Sequence, residues 1–239
     1  MMYGLRLNIL NKFVDKCIVA EATYSHSGDK KKLNFNINDY PKFKDKINYI
    51  VIDKNPPDLI ALDNNKDNFS NKRQNSIKRI ELSYNIMRQA VSDAKPEDII
   101  ILSDNDEIPN LHEVDFENLK ESIFIFKQKM FYYKFNLYYN LIPWFGSKAC
   151  KNKKLISLSW LRNLKNKKYP FWRLDTVFSK TRYMKVKIIN DGGWHFSNVK
   201  TPEEIEKKLS NCGHHDEYEL SGLNLKKIEE MVNQKKVYY

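Results

Sequence analysis

The spacing of apolar residues divides the chain into predicted helices and strands. Apolar residues from position 5 to 14 recur at helical intervals and predict a first helix that ends near Asp15. Short β-rich runs predict three strands, at residues 16–21 (KCIVAE), 48–53 (NYIVID) and 99–102 (IIIL). A long helix is predicted from Ser70, its expected N-cap, up to Pro96. Its apolar residues step by three and four positions and form one amphipathic stripe: Ile77, Ile80, Tyr84, Met87 and Val91.

The alternation of strand, helix and strand predicts an α/β fold with a mostly parallel central sheet. The run at 99–102 is apolar throughout, so we expect it to be buried on both faces of that sheet. In the second half, the aromatic run 124–139 predicts one or two strands, and three tryptophans follow in polar, loop-like sequence: Trp144, Trp160 and Trp172. Two shorter helices are predicted, at 201–210 with Thr201 as cap and at 223–232. No linker rich in Gly, Pro or Ser interrupts the chain, which favours a single domain over residues 1–239.

Composition and charge exclude several classes of protein. The chain has 239 residues, of which 41% are hydrophobic and 13% aromatic, so it can bury a core and is not globally disordered. No run approaches the roughly 20 apolar residues that a membrane span needs. Three widely spaced cysteines without a CxxC pair argue against a thiolate zinc site and favour a reducing compartment. The net charge of +11 is spread out and needs no partner to explain it, since codon bias toward Lys and Asn accounts for it; the functional alternative is a basic surface that attracts anions such as nucleotide diphosphates, and no specific nucleic acid is expected.

The sharpest chemical signal is the sequence IIILSDNDEIP at residues 99–109. The carboxyl end of a strand is where open α/β sheets place their ligands. Asp104 and Asp106 point to the same side of an extended chain, because side chains alternate. Two such carboxylates suit Mg²⁺ or Mn²⁺, which also bridges phosphates. The alternative is a solvated acidic turn, and the position directly after a buried strand favours the cation site.

Three further segments carry candidate chemistry. In the sequence NDGGWHFS at 190–197, the glycines permit close backbone approach, Trp194 offers a face for a sugar or base, and His195 can ligate a metal or donate a hydrogen bond. The alternative for His195 is a packed core histidine. Residues 214–218 (HHDEY) can complete a metal shell or supply a base, or they form a polar loop. The loop SHSGDK at 25–30 can contact a diphosphate, although a surface turn is the simpler interpretation.

Together these segments resemble glycosyltransferase family 17, the β-1,4-N-acetylglucosaminyltransferase-like family. The resemblance covers nearly the whole chain, and its most specific parts are SDNDEIP and GGWHFS. The matching stretches, in order, are VAEATYSHSGDKKKLNF (19–35), YIVID (49–53), IIILSDNDEIP (99–109), WFGSK (144–148), GGWHFS (192–197) and, more loosely, HDEY (215–218).

The resemblance implies a GT-A fold, which is Rossmann-like, and inverting transfer of N-acetylglucosamine from UDP-GlcNAc to a glycan acceptor. A nucleotide-binding half would span residues 1–110 and an acceptor-side half with the C-terminal helices 111–239. The implied metal ligands for Mn²⁺ or Mg²⁺ are Asp104 and Asp106, with His195 as a further metal or diphosphate contact. Glu21 and Asp53 would line the nucleotide pocket with Trp194 nearby. The candidates for the base that deprotonates the acceptor hydroxyl are Glu107, Asp191 and Glu217.

Two alternatives stay open at this point. A nucleotidyl or phosphoryl transferase also uses paired carboxylates and a divalent ion, but the chain has neither GxxxxGK[ST] nor GxGxxG. A non-enzymatic nucleic-acid-binding protein would need clustered Lys and Arg with exposed aromatics and no acidic pair. The N-terminus shows no signal-peptide pattern, so we expect a cytoplasmic enzyme. The joint abundance of Lys and Asn is typical of an AT-rich microbial or viral genome, and a viral enzyme would act in the host cytoplasm.

Overall fold

The computed structural model of the chain describes residues 2–63, 68–116, 118, 120–167, 169–183, 185–212 and 215–237. The chain forms two compact units. The first unit comprises Met1–Asp15 and Val91–Ser197, and the second comprises Lys16–Ala90 and Asn198–Tyr239. Each unit therefore contains residues from both of the predicted halves. Both units combine helices with strands, so the α/β class is confirmed.

Within the described residues, six α-helices and eight strands occur. The predicted strands and the predicted helices are all present: the bounds of the predicted strand 99–102 agree with the structure, most other ends differ by one or two residues, and the ends of the first and the long helix differ by several. The helices are α1 (Met2–Leu10), α2 (Phe69–Gln89), α3 (Leu158–Arg162), α4 (Pro202–Asn211), α5 (His215–Ser221) and α6 (Leu225–Gln234). The strands are β1 (Cys17–Ala22), β2 (Ile47–Ile52), β3 (Ile99–Leu102), β4 (Glu107–Pro109), β5 (Ile123–Tyr132), β6 (Tyr138–Lys151), β7 (Lys187–Ile189) and β8 (Gly193–Ser197).

The first unit is built on a sheet that, among the described residues, has six strands in the order β3-β6-β5-β8-β4, with β7 also paired to β5. The sheet is mixed, so the prediction of a mostly parallel sheet is wrong. β6 pairs antiparallel with β3 and β5, and β4 pairs antiparallel with β8, whereas β5 runs parallel to β7 and β8. The short connection after β5 accounts for the antiparallel β5–β6 pair, since adjacent strands joined by a few residues return antiparallel, whereas β3–β6 and β4–β8 are pairings of strands far apart in the sequence. The core centres on β5, where Phe124, Ile125 and Phe126 are buried.

Two sequence predictions fail on this sheet. Among the described strands, β3 pairs with β6 alone at the end of the strand order, and its four residues are half-buried rather than buried on both faces. Trp144 lies within the long strand β6 and not in a loop, and Trp160, also expected in a loop, lies in α3. For β3 the cause is that the hydrophobic pattern identifies a strand without specifying its neighbours.

The second unit contains the parallel pair β1–β2 and four helices, as far as it is described. Thr201 caps α4 through a capping box with Glu204, as the sequence predicts in part. For α2, the prediction is wrong in three respects: the N-cap, the last residue and the buried face. Asn68 precedes the first helical residue, so Ser70 is not the N-cap, and the helix ends at Gln89, well before Pro96. Its buried residues are polar (Asn75, Ser76 and Arg79), while Ile77 of the predicted apolar stripe is 45% exposed.

No α-helix in the described part of the chain has both the length and the apolar character needed to cross a bilayer.

Candidate functional site

A tight acidic turn connects β3 to β4 in the first unit. The backbone N–H of Glu107 donates to the carbonyl of Asp104 at 3.1 Å, and the Asp104 N–H donates back to the Glu107 carboxylate at 3.1 Å. The side chain of Glu107 thus closes the turn that presents Asp104 and Asp106. We call residues 103–107 the acidic turn.

Glu107 is fully buried, and its carboxylate accepts hydrogen bonds from two side chains of β6. The indole Nε1 of Trp144 donates at 2.8 Å and the hydroxyl of Ser147 at 3.2 Å. Burial raises the pKa of Glu107, and the charge of Asp104 raises it further. The hydrogen bond from Trp144 and the charge of Arg162 oppose that rise. A buried carboxylate with this many donors orients its neighbours, because moving any of them would leave a buried acceptor unpaired.

The segment WFGSK at 144–148 packs around the carboxylate of Glu107 and against the end of α3. A Cβ on Gly146 would lie 2.3–2.4 Å from Gln128 Oε1, Glu107 Oε1 and Trp144 Nε1, so only glycine fits there. Gln128 Nε2 donates to the Ser147 hydroxyl at 3.1 Å. Lys148 is buried, and its ammonium donates to the carbonyls of Arg162 and Leu164 at the end of α3. Four of the five residues therefore support the acidic turn or α3.

Arg162, the last residue of α3, faces the acidic turn. Its Nη2 lies 2.5 Å from Asp104 Oδ2, and its Nη1 lies 3.7 Å from Glu107 Oε1. The carbonyl of Asp104 accepts a 2.5 Å hydrogen bond from Arg6 of α1. Asp104 is therefore held between two arginines, and its partly exposed carboxylate is already paired.

His195 and Asp106 meet on the other side of the turn. His195 Nε2 lies 3.5 Å from Asp106 Oδ1, and the Phe196 N–H donates to the Asp106 carbonyl at 2.8 Å. The imidazole is buried and stacks on the indole of Trp144, with ring centroids 4.4 Å apart. Its Nδ1 has no hydrogen-bond partner within the described residues. The pair offers one carboxylate oxygen and one ring nitrogen to a common ligand.

Two residues predicted for this site lie elsewhere in the first unit. β4 pairs Glu107 with His195 and Ile108 with Trp194, so Trp194 projects to the opposite face of the sheet from His195. There it lines an apolar pocket of about 230 Å³ with side chains of α1, β5 and β8. Asp191 lies in the turn that precedes β8, four positions before His195. Its carboxylate is exposed and pairs with Lys129 at 3.0 Å.

In the second unit, Glu21 lies near the carboxyl end of β1, and its carboxylate accepts hydrogen bonds from other residues of the same unit. Its carboxylate accepts from Lys31 Nζ at 2.6 Å, from the N–H groups of Asn34 and Phe35 and from the Tyr49 hydroxyl. Burial raises the pKa of Glu21, but the hydrogen bonds from Lys31, Asn34 and Phe35 outweigh burial, and the net pKa is lowered. In this arrangement Glu21 fixes the segment 31–35. Asp53, the other predicted nucleotide contact, is exposed just after β2.

Sequence reasoning missed Arg79, a buried arginine of α2 in the second unit. Its Nε donates to Asn55 Oδ1 at 2.9 Å, and its Nη1 donates to the His26 carbonyl at 3.0 Å. A Cβ on Gly28 would lie 2.5 Å from its Nη2, so the loop 25–29 closes directly over the guanidinium. Arg79 thereby joins the loops that follow β1 and β2. The spacing of apolar residues does not identify Arg79, because the buried face of α2 is polar.

The last predicted segment lies on α5. Glu217 is exposed, whereas His215 is buried and its Nδ1 lies 3.0 Å from the Cys212 carbonyl. His214 lies outside the described residues. Among the described residues, no group of three or more His, Cys, Asp or Glu side chains is arranged to hold a metal ion.

The model of glycosyltransferase family 17 matches residues 1–237, nearly the whole chain. No curated protein and no solved structure gives a significant match.

Proposed function

Because the chain belongs to glycosyltransferase family 17, we propose that it transfers N-acetylglucosamine, or a related sugar, from a UDP-sugar to a glycan acceptor with inversion. Such a transfer needs positive groups beside the leaving diphosphate and a base for the acceptor hydroxyl. The observation that carries the proposal is the acidic turn, where Asp106 lies 3.5 Å from His195 and Arg162 pairs with Asp104.

Asp106 and His195 are the residues that we propose hold Mn²⁺ or Mg²⁺. The single carboxylate of Asp106 is enough for this role, because Mg²⁺ in nucleotide sites is usually bound by one or two carboxylates, substrate phosphates and waters, and His195 adds a ring nitrogen beside it. When bound, such an ion neutralises charge that develops on the departing diphosphate. The buried, stacked imidazole of His195 has a fixed orientation, so its Nε2 stays directed at Asp106.

For Asp104 we propose a different role from that of a metal ligand. Its carboxylate pairs with Arg162 and holds that guanidinium beside the turn. Guanidinium groups bind phosphate oxygens through charge-assisted hydrogen bonds. Asp104 therefore positions a second positive group for the diphosphate.

Glu107 acts in this proposal as a positioning residue and not as the base. A base must reach the proton that it abstracts, whereas the carboxylate of Glu107 is fully buried and bonded to Trp144, Ser147 and the Asp104 N–H. Of the predicted bases, Asp191 and Glu217 are exposed. The variants Asp191→Asn and Glu217→Gln distinguish them, since loss of the base lowers kcat with little change in the KM of the acceptor.

The parallel pair β1–β2 supports nucleotide binding in the second unit. Ligands of α/β proteins bind beyond the carboxyl ends of parallel strands. The loop 25–29, Asp53 and the buried cation Arg79 all lie at those ends. We infer that an anionic ligand can bind at this end of the second unit, where the loop 25–29 and Asp53 are the candidate contacts, whereas Glu21 is engaged by Lys31, Asn34 and Phe35.

The decisive experiment measures UDP release and UDP binding with a panel of nucleotide sugars, with and without Mn²⁺. We expect UDP-GlcNAc to give the fastest release and Mn²⁺ to be required. Calorimetric titration with UDP measures nucleotide binding directly. Binding can be detected in the absence of the acceptor that transfer requires. Absence of both UDP release and UDP binding, with folded protein and Mn²⁺ present, would overturn the proposal.

A further inference from the structure

Five large apolar side chains are exposed together in one short segment of the first unit. We call residues 169–182 the aromatic loop. Scattered apolar residues are common on protein surfaces, but a cluster is typical of an interaction site. The five residues are Phe171, Trp172, Leu174, Val177 and Phe178. Their side chains are between 66% and 89% exposed.

The backbone of the aromatic loop is held in place while these side chains face outward. Successive turns are closed by hydrogen bonds from Arg173 N–H to the Pro170 carbonyl and from Val177 N–H to the Leu174 carbonyl, both 3.1 Å. Thr176 is buried, and its hydroxyl donates to the Arg173 carbonyl at 2.7 Å. The loop therefore buries a threonine and exposes its largest apolar residues, the reverse of the usual burial pattern.

The base of the loop is fixed by an aromatic residue and two cations. Tyr169 is buried, and the guanidinium groups of Arg173 and Arg182 lie 5.6 and 5.9 Å from its ring centroid. The N–H of Lys165 donates to the Thr181 carbonyl at 2.9 Å. These contacts keep the exposed side chains on one anchored support.

The segment that carries the loop also holds most of the excess positive charge. Residues 165–187 contain eight Lys and Arg residues and one acidic residue, a net charge of +7 out of +11 for the whole chain. The acidic residue, Asp175, is bound by Arg173 at 2.7 Å and by Arg182 at 2.9 Å. The segment that carries the exposed apolar side chains therefore has a strongly positive net charge.

We propose that the aromatic loop docks the protein on an anionic lipid surface. Trp and Phe favour the interfacial region of a bilayer, and exposed aliphatic residues gain by leaving water. Lys and Arg around them are attracted to anionic headgroups. A neutral glycan would use the rings but would gain nothing from the +7 charge or from Leu174 and Val177. A lipid surface accounts for both the apolar side chains and the charge.

The test is co-sedimentation of the full chain with vesicles of phosphatidylcholine alone or with about 30 mol% phosphatidylserine. We expect binding to the anionic vesicles and a loss of about tenfold in affinity at about 0.5 M salt, because salt screens the attraction. The triple variant Phe171→Ser, Trp172→Ser and Phe178→Ser should lose about tenfold or more. Leu141→Ser is the matched control, since Leu141 is 75% exposed on β6 outside the loop, and it should bind like the wild type.

The charge contribution has its own pair of variants. Lys180→Glu with Lys185→Glu reverses two charges in the segment, and Lys44→Glu with Lys226→Glu reverses two exposed charges elsewhere. Only the first pair should weaken binding to anionic vesicles. Equal binding by the wild type and the triple variant, with melting temperatures unchanged, would overturn the proposal. So would a wild-type dimer that the triple variant abolishes in the absence of vesicles, because the loop would then bind a second copy of the chain.

Discussion

The indole of Trp144 contacts Glu107 and His195 at once. Its Nε1 donates a 2.8 Å hydrogen bond to the buried carboxylate of Glu107, and its ring stacks on His195 at 4.4 Å between centroids. Glu107 and His195 face each other across β4 and β8. A residue of β6 thus fixes both the acidic turn and the histidine beside it.

Trp144→Phe keeps an aromatic ring on His195 but removes the only polar group of the indole. The carboxylate of Glu107 then loses a donor in a buried environment, and we expect the free energy of unfolding to fall by about 2 kcal/mol. Urea denaturation measures the loss. Trp172→Phe is the matched control, because Trp172 is 66% exposed, and it should change stability by less than about 0.5 kcal/mol. Equal effects of the two variants would show that the Trp144–Glu107 hydrogen bond contributes nothing.

Gly146→Ala tests the close packing around the same carboxylate. The new Cβ would approach atoms of Gln128, Glu107 and Trp144 within 2.3–2.4 Å, so the side chains must separate. We expect a loss of about 3 kcal/mol, at the upper end of the cost of overpacking. Gly222→Ala is the control, because its φ of +65° strains an alanine but the nearest atom is 4.0 Å away; a loss of about 1 kcal/mol is expected. A smaller loss for Gly146→Ala than for Gly222→Ala would contradict this packing.

The helices and strands could be predicted from the sequence, but the arrangement of the strands could not. The apolar run 99–102 and the long helix before it have the local pattern of a parallel strand–helix–strand unit. In the structure, β3 pairs antiparallel with β6, some fifty residues later, and β2 pairs with β1 in the other unit. Strand direction depends on such long-range pairings, and residue periodicity carries no information about them.

The candidate site was predictable to a similar extent. Asp104, Asp106 and His195 stand out through their spacing and their neighbours in the sequence. The roles of Trp144 and Arg162 depend on the register of β6 and on the position at which α3 ends. No local pattern predicts those contacts, although both residues lie within 60 positions of the acidic turn.

Lys148 predicts a pH dependence of stability. Burial lowers its pKa to about 8, and the positive charge of Arg162 adds to the effect. In the unfolded chain the ordinary value is 10.5, so between about pH 8 and 10.5 the unfolded chain binds more protons than the folded one. The contribution of Lys148 to stability is therefore smallest below pH 8 and increases as the pH rises through that window.

Lys148→Met removes this dependence. We expect the unfolding free energy of the wild type, relative to that of Lys148→Met, to increase between about pH 7.5 and about pH 10. Urea denaturation across that range provides the measurement, and Lys44→Met, at an exposed lysine, corrects for titration elsewhere. A constant difference across the range would mean that Lys148 is charged and solvated in the folded protein.

Asp106→Asn tests the proposed metal ligands. The amide is a weaker ligand than the carboxylate, so we expect Mn²⁺-dependent UDP release to fall by about 100-fold while the melting temperature stays within a few degrees. Removal of the metal with EDTA should reduce the wild type to the level of the variant. Asp45→Asn, at an exposed carboxylate, should keep full activity. Full Mn²⁺-dependent turnover by Asp106→Asn would remove Asp106 from the proposed site.

Arg79→Met tests whether the buried guanidinium orders the loop 25–29 in the second unit. Arg79 donates to the His26 carbonyl and to Asn55, and Gly28 packs against it so closely that no side chain fits between them. Methionine retains much of the apolar stem but no donor, so the loop loses its attachment to α2. We expect amide hydrogen exchange of residues 25–31 to accelerate by at least about tenfold. Without the bonds to Arg79, these residues can open by a local fluctuation that leaves the rest of the unit folded.

The matched control is Lys78→Met, the preceding residue on the same helix. Lys78 pairs with Asp58 at 2.9 Å, and Asp58 is 67% exposed. Removal of the Lys78 ammonium should therefore leave hydrogen exchange in the loop 25–29 unchanged. If the loop also contacts the nucleotide, UDP affinity should fall with Arg79→Met and not with Lys78→Met. Faster exchange without loss of UDP affinity would leave Arg79 a purely structural residue. Unchanged exchange would show that the hydrogen bonds within the loop, such as the 2.8 Å bond from Ser25 N–H to the Asp29 carbonyl, are sufficient to hold it.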